Sequence, residues 1–275
     1  MTDPRLELDL SGPVGRLTIR RPDRLNALDA AMVEGLLAAC ATEERCAVRV
    51  LVVTGEGGRA FSAGGDIAAW SAQTAQDFAR HWVRDGHRAF DALARLAQPV
   101  IAVLNGHALG GGLELAACAD PRIAGAHVRI GQPEAGLGII PGWSGTQRAV
   151  RRFGAQAVRR MAVMGEMLDA GAALALGIVD RVVPTGEGPA AAEAAAAAVI
   201  ARGPLATEVT KMLVNAAEGE ESGRVLEALA GWVAAGSAEL QEGLAAFREK
   251  RPARFARGGG DGTGGAGGTG GAGCR

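Results

Sequence analysis

A chain of 275 residues that is 48 % apolar can form one large domain, or a domain plus an extension, around a substantial core. Its 29 Lys and Arg offset 30 Asp and Glu for a formal net charge of -1, without the basic surplus expected of a bulk nucleic-acid binder. No cationic start leads into an apolar run, the internal apolar runs are too short to span a bilayer, and Cys40, Cys46, Cys118 and Cys274 show neither metal spacing nor a CxxC pair. Free thiols in a reducing, cytoplasmic setting are therefore expected, with no membrane partner.

Along the chain, Leu6 to Leu10 and Val14 to Arg20 alternate apolar and polar residues about Gly12-Pro13, which predicts a β-hairpin ended by Arg21-Pro22. Asp29 is placed to cap a helix whose Met32, Val33, Leu36, Leu37 and Cys40 share a face. Val48 to Thr54 reads as a buried strand, Gly55 to Gly58 as a turn, Thr74 to Leu96 as a long helical stretch and Val100 to Leu104 as a second buried strand. A short helix is expected over Gly111 to Ala119. Strands are expected at Ile123 and Val128 to Ile130, helices over Gly142 to Arg152 and Ala155 to Met164, and an extended segment from Ile178 to Val183 closed by Pro184. Strands alternating with helices make residues 1–187 an α/β core.

The composition changes near residue 185. Residues 188–257 read as helical only: Pro189 to Ala201, Leu205 to Ala217, Ser222 to Ala235 and Ala238 to Glu249, with breaks at Gly203-Pro204, Gly219 and Gly236. Alanine-rich helices bury little area each and need a larger partner surface, their own core or another subunit. Residues 258–275 are almost pure glycine and are expected to be disordered. Gly262, Gly264 and Gly267 have the dinucleotide-binding spacing but neither a strand before them nor a helix after, so they carry no cofactor assignment.

Two glycine-rich segments carry the chemistry. Phe61-Ser62-Ala63-Gly64-Gly65-Asp66-Ile67 leaves a strand and enters a helix that Asp66 can cap. Asn105-Gly106-His107-Ala108-Leu109-Gly110-Gly111-Gly112-Leu113-Glu114 does the same. Backbone N–H groups near Gly65 and Gly111 can converge on one carbonyl oxygen as an oxyanion hole, although either cluster alone is also an ordinary tight turn. Glu114 sits among apolar neighbours early in its helix, and Glu134 follows Gly131-Gln132-Pro133 in a loop rich in glycine. Two carboxylates across a pocket can hold a water, one taking its proton and the other delivering a proton to carbon. His81, His87, His107 and His127 lack metal-ligand spacing, and no GxSxG elbow or phosphate loop occurs. Trp70, Trp82 and Trp143 read as core residues that can also line a pocket. Lys250 lies in the basic run Phe247-Arg248-Glu249-Lys250-Arg251, which suits either phosphate contact or a solvated helix end.

These segments, with Arg21-Pro22, Asn26-Ala27-Leu28, Leu137-Gly138-Ile139-Ile140-Pro141-Gly142, Thr146-Gln147-Arg148, Ala175-Leu176-Gly177-Ile178-Val179 and Phe247 to Arg251, resemble the enoyl-CoA hydratase/isomerase (crotonase) family over about residues 5 to 256. The resemblance implies a spiral of repeated β-β-α units followed by helices that build a trimer or a dimer of trimers. It implies an acyl-CoA thioester as substrate and no separate cofactor. Gly65 and Gly111 take the positions of the oxyanion donors, and Glu114 and Glu134 those of the acid-base pair. Both glutamates favour hydration of a 2-enoyl-CoA to a 3-hydroxyacyl-CoA over isomerisation or dehydration of an unusual or aromatic acyl-CoA. Ala63, Gly65, Asp66 and Ile67 are implied to border the CoA thioester. Many relatives carry a lysine soon after Asp66, where this chain has Ala68-Ala69-Trp70, so CoA contacts fall to Arg24 and, from a neighbouring subunit, Lys250. Trp70 becomes a candidate wall for bulky or aromatic acyl groups. A glycosidase reading of the carboxylate pair leaves the glycines without a role, and an RNA-binding reading conflicts with the near-zero net charge.

Overall fold

A computed structural model describes residues 3–220 and 235–255, together with residues 228, 231 and 233. The chain divides into two compact units, residues 1–225 and 226–275. The helix expected over 222–235 lies largely outside the described residues, and the tail 258–275 with Cys274 lies wholly outside them.

The first unit is built on two sheets. The larger runs β1 (Leu6–Asp9), β2 (Val14–Ile19), β3 (Val50–Gly55), β5 (Val100–Leu104), β7 (Arg122–Gly125) and β10 (Arg181–Val183), in that spatial order. Only β1 and β2 are antiparallel, Leu6 opposite Ile19, which is the expected hairpin; the other pairs are parallel. The smaller sheet runs β4 (Ala60–Ser62), β6 (His107–Leu109), β8 (Arg129–Gly131) and β9 (Leu168–Asp169). Its first three strands are parallel neighbours.

A repeat connects the sheets. β3 leads to β4 and then to α2 (Ile67–Trp70). β5 leads to β6 and then to α5 (Gly111–Ala116). β7 leads to β8 and then to a 3-10 turn, Pro133–Leu137. Each unit is a strand of the large sheet, a strand of the small sheet and a helical turn, as the β-β-α expectation requires. β3 and β5 read correctly from sequence because both are near-continuous apolar runs, β5 buried throughout and β3 at every residue but Thr54.

Helices cover the large sheet on both faces. On one, α1 (Ala30–Glu43) begins where the Asp29 carboxylate accepts the Met32 N–H at 3.0 Å, buries Met32, Val33, Leu36 and Cys40, and packs on α4 (Arg84–Ala94). Before α4 come the single turn α3 (Ala75–Asp77) and a π-helical turn, Phe78–Val83, so the long stretch expected from Thr74 is three segments. On the other face, the alanine-rich α9 (Gly188–Ile200) sets Ala191, Ala192 and Ala196 against Val50, Val52, Ile101, Val103, Ile123 and Val183. Small side chains let this helix lie close to a sheet of branched residues.

The helix expected from Gly142 begins only at Gln147, as α6 (Gln147–Phe153), because Gly142 to Gly145 form a turn with other duties. The segment after it splits into α7 (Ala155–Val158) and a π-helical turn, Arg159–Val163. The short α8 (Ala170–Ala175) and then α10 (Pro204–Ala217) complete the first unit's helices among the described residues. In the second unit α11 (Ala238–Glu249) is capped by the Ser237 hydroxyl accepting from the Leu240 N–H at 3.2 Å. No described helix is long and apolar enough to cross a membrane.

Arg148 on α6 is fully buried and donates from Nε to Glu220 Oε1 at 2.8 Å and from Nη2 to Asp91 Oδ1 at 2.6 Å. Its charge is matched inside the protein, and removing it leaves buried Glu220 with Arg151 alone, at 2.8 Å, and empties the space of a fully buried side chain. Arg148→Ala is predicted to lose about 3–5 kcal/mol of unfolding free energy, read from urea denaturation. A loss below about 1 kcal/mol would show that the cluster is already solvated.

Candidate active site

Because β4, β6 and β8 are parallel neighbours, their C-terminal ends lie side by side. Gly65 follows β4, Gly111 follows β6 and Glu134 follows β8. One cavity of about 90 Å³ is lined by Ala63, Gly65, Ile67, Gly110, Gly111, Glu114 and Glu134, with Trp70, Phe78, Trp82 and Trp143 as aromatic walls. Of the nine residues assigned to catalysis or CoA contact from the sequence, six therefore share one site, together with the three tryptophans named as possible pocket residues.

The two glycine loops touch. Gly64 has φ +92°, and a Cβ there would lie 2.6 Å from the Gly111 nitrogen, so the loops approach closely only with glycine at 64. In the first loop the Ala63 N–H donates to Leu25 O, Gly64 N–H to Ser62 Oγ and Asp66 N–H to Leu28 O. In the second, Gly110 N–H donates to Gly131 O. The N–H groups of Gly65 and Gly111 find no acceptor among the described residues, and both residues line the cavity.

Glu114 is 3 % exposed. Its Oε1 accepts the Trp143 N–H at 2.7 Å and the Gly145 N–H at 2.5 Å. The Gly142–Gly145 turn exists for this: Ser144, between the two donors, holds φ +83°, a strained value for serine, and its hydroxyl meets His87 Nδ1 at 2.9 Å and the Gln147 amide at 3.3 Å. Gln132 adds a bond from Nε2 to Gly145 O at 2.6 Å. These supports were missed in the sequence; the cluster of small residues Gly142, Ser144 and Gly145 was the available signal.

Glu134 is 8 % exposed, and its Oε2 is buried with no hydrogen-bond partner. Gly110, at φ +52°, leaves room for this side chain: a Cβ there would stand 2.8 Å from Glu134 Oε1. Burial raises both carboxyls above the ordinary range. It takes Glu114 up to about 8, with the Glu134 charge pushing the same way and the two backbone donors opposing. The carboxyls interact and titrate as a pair.

The remaining candidates lie elsewhere. Asp66 caps α2 by accepting the Ala68 N–H at 3.0 Å, pairs with Arg21 Nη2 at 2.8 Å and does not line the cavity. Arg24 is exposed on a 3-10 turn, Pro22–Arg24. Lys250 closes α11 in the second unit with φ 51°. No cluster of three or more His, Cys, Asp or Glu suited to a metal occurs among the described residues.

The raised Glu114 carboxyl sets a pH dependence. Below about 4.5 it is neutral in folded and unfolded chains alike; from there through about 8 only the unfolded chain ionises freely, so stability is lost as pH rises. Glu114→Gln is predicted to lose less melting temperature than the parent between pH 5 and pH 9, measured by calorimetry. Parallel curves would contradict the buried environment assigned to this group.

The model of the enoyl-CoA hydratase/isomerase family matches residues 9–258. A protein named crotonyl-CoA hydratase from Syntrophomonas wolfei is 36 % identical over 242 residues, covering 87 % of this chain and 93 % of the relative. A short-chain-enoyl-CoA hydratase from Clostridium acetobutylicum is 35 % identical over 209 residues, 76 % of this chain and 80 % of that protein. Among solved structures, DspI of Pseudomonas aeruginosa aligns with a TM-score of 0.77 at 33 % identity, covering 93 % of this chain and 98 % of that one. An enoyl-CoA hydratase subunit from Geobacillus kaustophilus gives 0.74 at 34 % identity, with 92 % and 98 % covered. With a family model spanning nearly the whole described chain and relatives of this identity and coverage, the protein belongs to the enoyl-CoA hydratase/isomerase, or crotonase, family.

Proposed function

We propose that the protein hydrates a 2-enoyl-CoA to a 3-hydroxyacyl-CoA. The observation that carries the reading is convergence: two unengaged glycine N–H groups and two buried carboxylates border one cavity at one end of the small sheet.

The thioester oxygen would accept from the Gly65 and Gly111 N–H groups. As water adds at C3, electron density moves through C2 to that oxygen, and the fixed donors stabilise the enolate-like charge. Glu114 takes one proton from the water while its oxygen bonds to C3. Glu134 delivers a proton to C2, so the elements of water are added across the double bond. The two N–H donors on Glu114 Oε1 aim this carboxylate and favour its ionised form against the burial that raises its pKa, which makes Glu114 the member of the pair suited to take a proton. The unpartnered, buried Oε2 of Glu134 favours a protonated carboxyl, as an acid requires.

The CoA portion extends outside the 90 Å³ cavity. Arg24 is the proposed contact for its phosphates, joined by Lys250 of a neighbouring subunit in a trimer or dimer of trimers. The family's hydratases named above act on short or crotonyl thioesters, which supports the same class here.

Crotonyl-CoA is predicted to lose its enoyl-thioester absorbance and gain the mass of one water. Glu114→Gln and Glu134→Gln are each predicted to lower kcat by about 10²–10⁴ with the fold retained by circular dichroism. A product of unchanged mass would replace hydration by isomerisation, and full activity in the Glu114 variant would remove its role as base.

A further inference from the structure

The cavity has a rim and a floor of different character. Ile67, Leu137 and Ile140 at the rim are exposed, Ile140 by 74 %. Trp82 and Trp143 are buried, Trp143 to 3 % exposure, and their rings pack 4.8 Å apart between centroids. An acyl group entering past the aliphatic rim would end on the two indoles.

Trp143 sits in a slot shaped for it. Its Nε1–H donates to Trp82 O at 2.9 Å, in the π-helical turn, and a Cβ on Gly86 would fall 2.0 Å from that nitrogen. Phe90 meets the indole edge-on at 5.2 Å. The ring's far edge then reaches the glycines: a Cβ on Gly111 would lie 2.9 Å from Trp143 Cε3, and one on Gly65 would lie 3.3 Å from Trp143 Cη2 and 2.7 Å from Trp82 Cζ2. The floor therefore stands one van der Waals contact from the backbone of the two proposed thioester donors.

That distance limits what lies beyond the thioester. The rim is exposed, so the acyl group is bounded at the opposite end, where Trp82 and Trp143 lie against both glycines. We infer that Trp143, seated on Gly86 and backed by Trp82, is the specificity-determining residue that restricts the acyl group to a short aliphatic chain. The inference rests on the acyl-CoA reading above. Trp70 lines the cavity as expected, edge-on to Phe78 at 5.5 Å, but with Trp82 and Trp143 closing the far end the inference favours short aliphatic acyl groups over the bulky or aromatic ones first considered for that wall.

Replacing the indole leaves the Trp143 backbone donor to Glu114 in place. Binding of saturated acyl-CoAs, which cannot be hydrated, separates pocket size from chemistry. By isothermal titration calorimetry the parent is expected to bind butyryl-CoA at least ~10-fold more tightly than octanoyl-CoA. Trp143→Ala is expected to reverse the order, with octanoyl-CoA gaining at least ~10-fold. Trp143→Phe keeps an aromatic ring in the slot, guards against a misfolded alanine variant and is expected to give an intermediate ratio. Equal affinities in the parent, or the same ratio in parent and both variants, would overturn the inference. Failure of the parent to hydrate any 2-enoyl-CoA while this binding order holds would sink the hydratase reading and leave Trp143 as the size limit. Binding of neither thioester would sink both.

Discussion

The parallel hydrogen bonding of β4, β6 and β8 is the constraint on which the rest depends. Three strands of three residues each bury little and have little stability of their own. They are held because each is tied by a short turn to a long, buried strand of the large sheet. Parallel pairing gives them a common direction, so whatever follows each strand arrives at the same edge. Gly65, Gly111 and Glu134 are separated in sequence but are equivalent positions in successive repeats. A shift in this pairing would separate the donors from the carboxylate without altering any side chain.

Desolvation then gives those groups their character. The site sets backbone N–H groups and two carboxylates within walls of tryptophan and phenylalanine. Water exclusion raises the carboxyl pKa values and strengthens fixed dipoles in the same step. The fold accommodates the resulting cost by local means: the Gly142–Gly145 turn aims two donors at one Glu114 oxygen and accepts a strained serine backbone to do so. Trp143 links the parts, since its main chain holds Glu114 and its ring packs beside both glycines.

Much of the site was legible in the sequence because its chemistry is written in residue types. Glycine pairs after strands and glutamates beside them stand out against an apolar background, and all four central residues share the cavity. The long strands were legible for a related reason: Val100 to Leu104 can be little else than a buried strand. β4, β6 and β9 were not, because segments of two or three residues that include serine, histidine or aspartate acquire strand geometry only from neighbours distant in sequence. The turn at Gly142 read as a helix start, since nothing local shows that its amides serve a carboxylate 29 residues away. The π-helical turns at Phe78–Val83 and Arg159–Val163 likewise follow from packing rather than from periodicity.

The central claim is that one oxygen is held by two glycine N–H groups between two carboxyls, and the most direct measurement is a crystal structure with 3-hydroxybutyryl-CoA bound. The account predicts the thioester oxygen about 2.7–3.1 Å from both the Gly65 and the Gly111 nitrogen, with the 3-hydroxyl against Glu114 and C2 facing Glu134. A thioester oxygen hydrogen-bonded elsewhere, or an acyl group lying outside the Trp82–Trp143 floor with neither glutamate beside it, would contradict it.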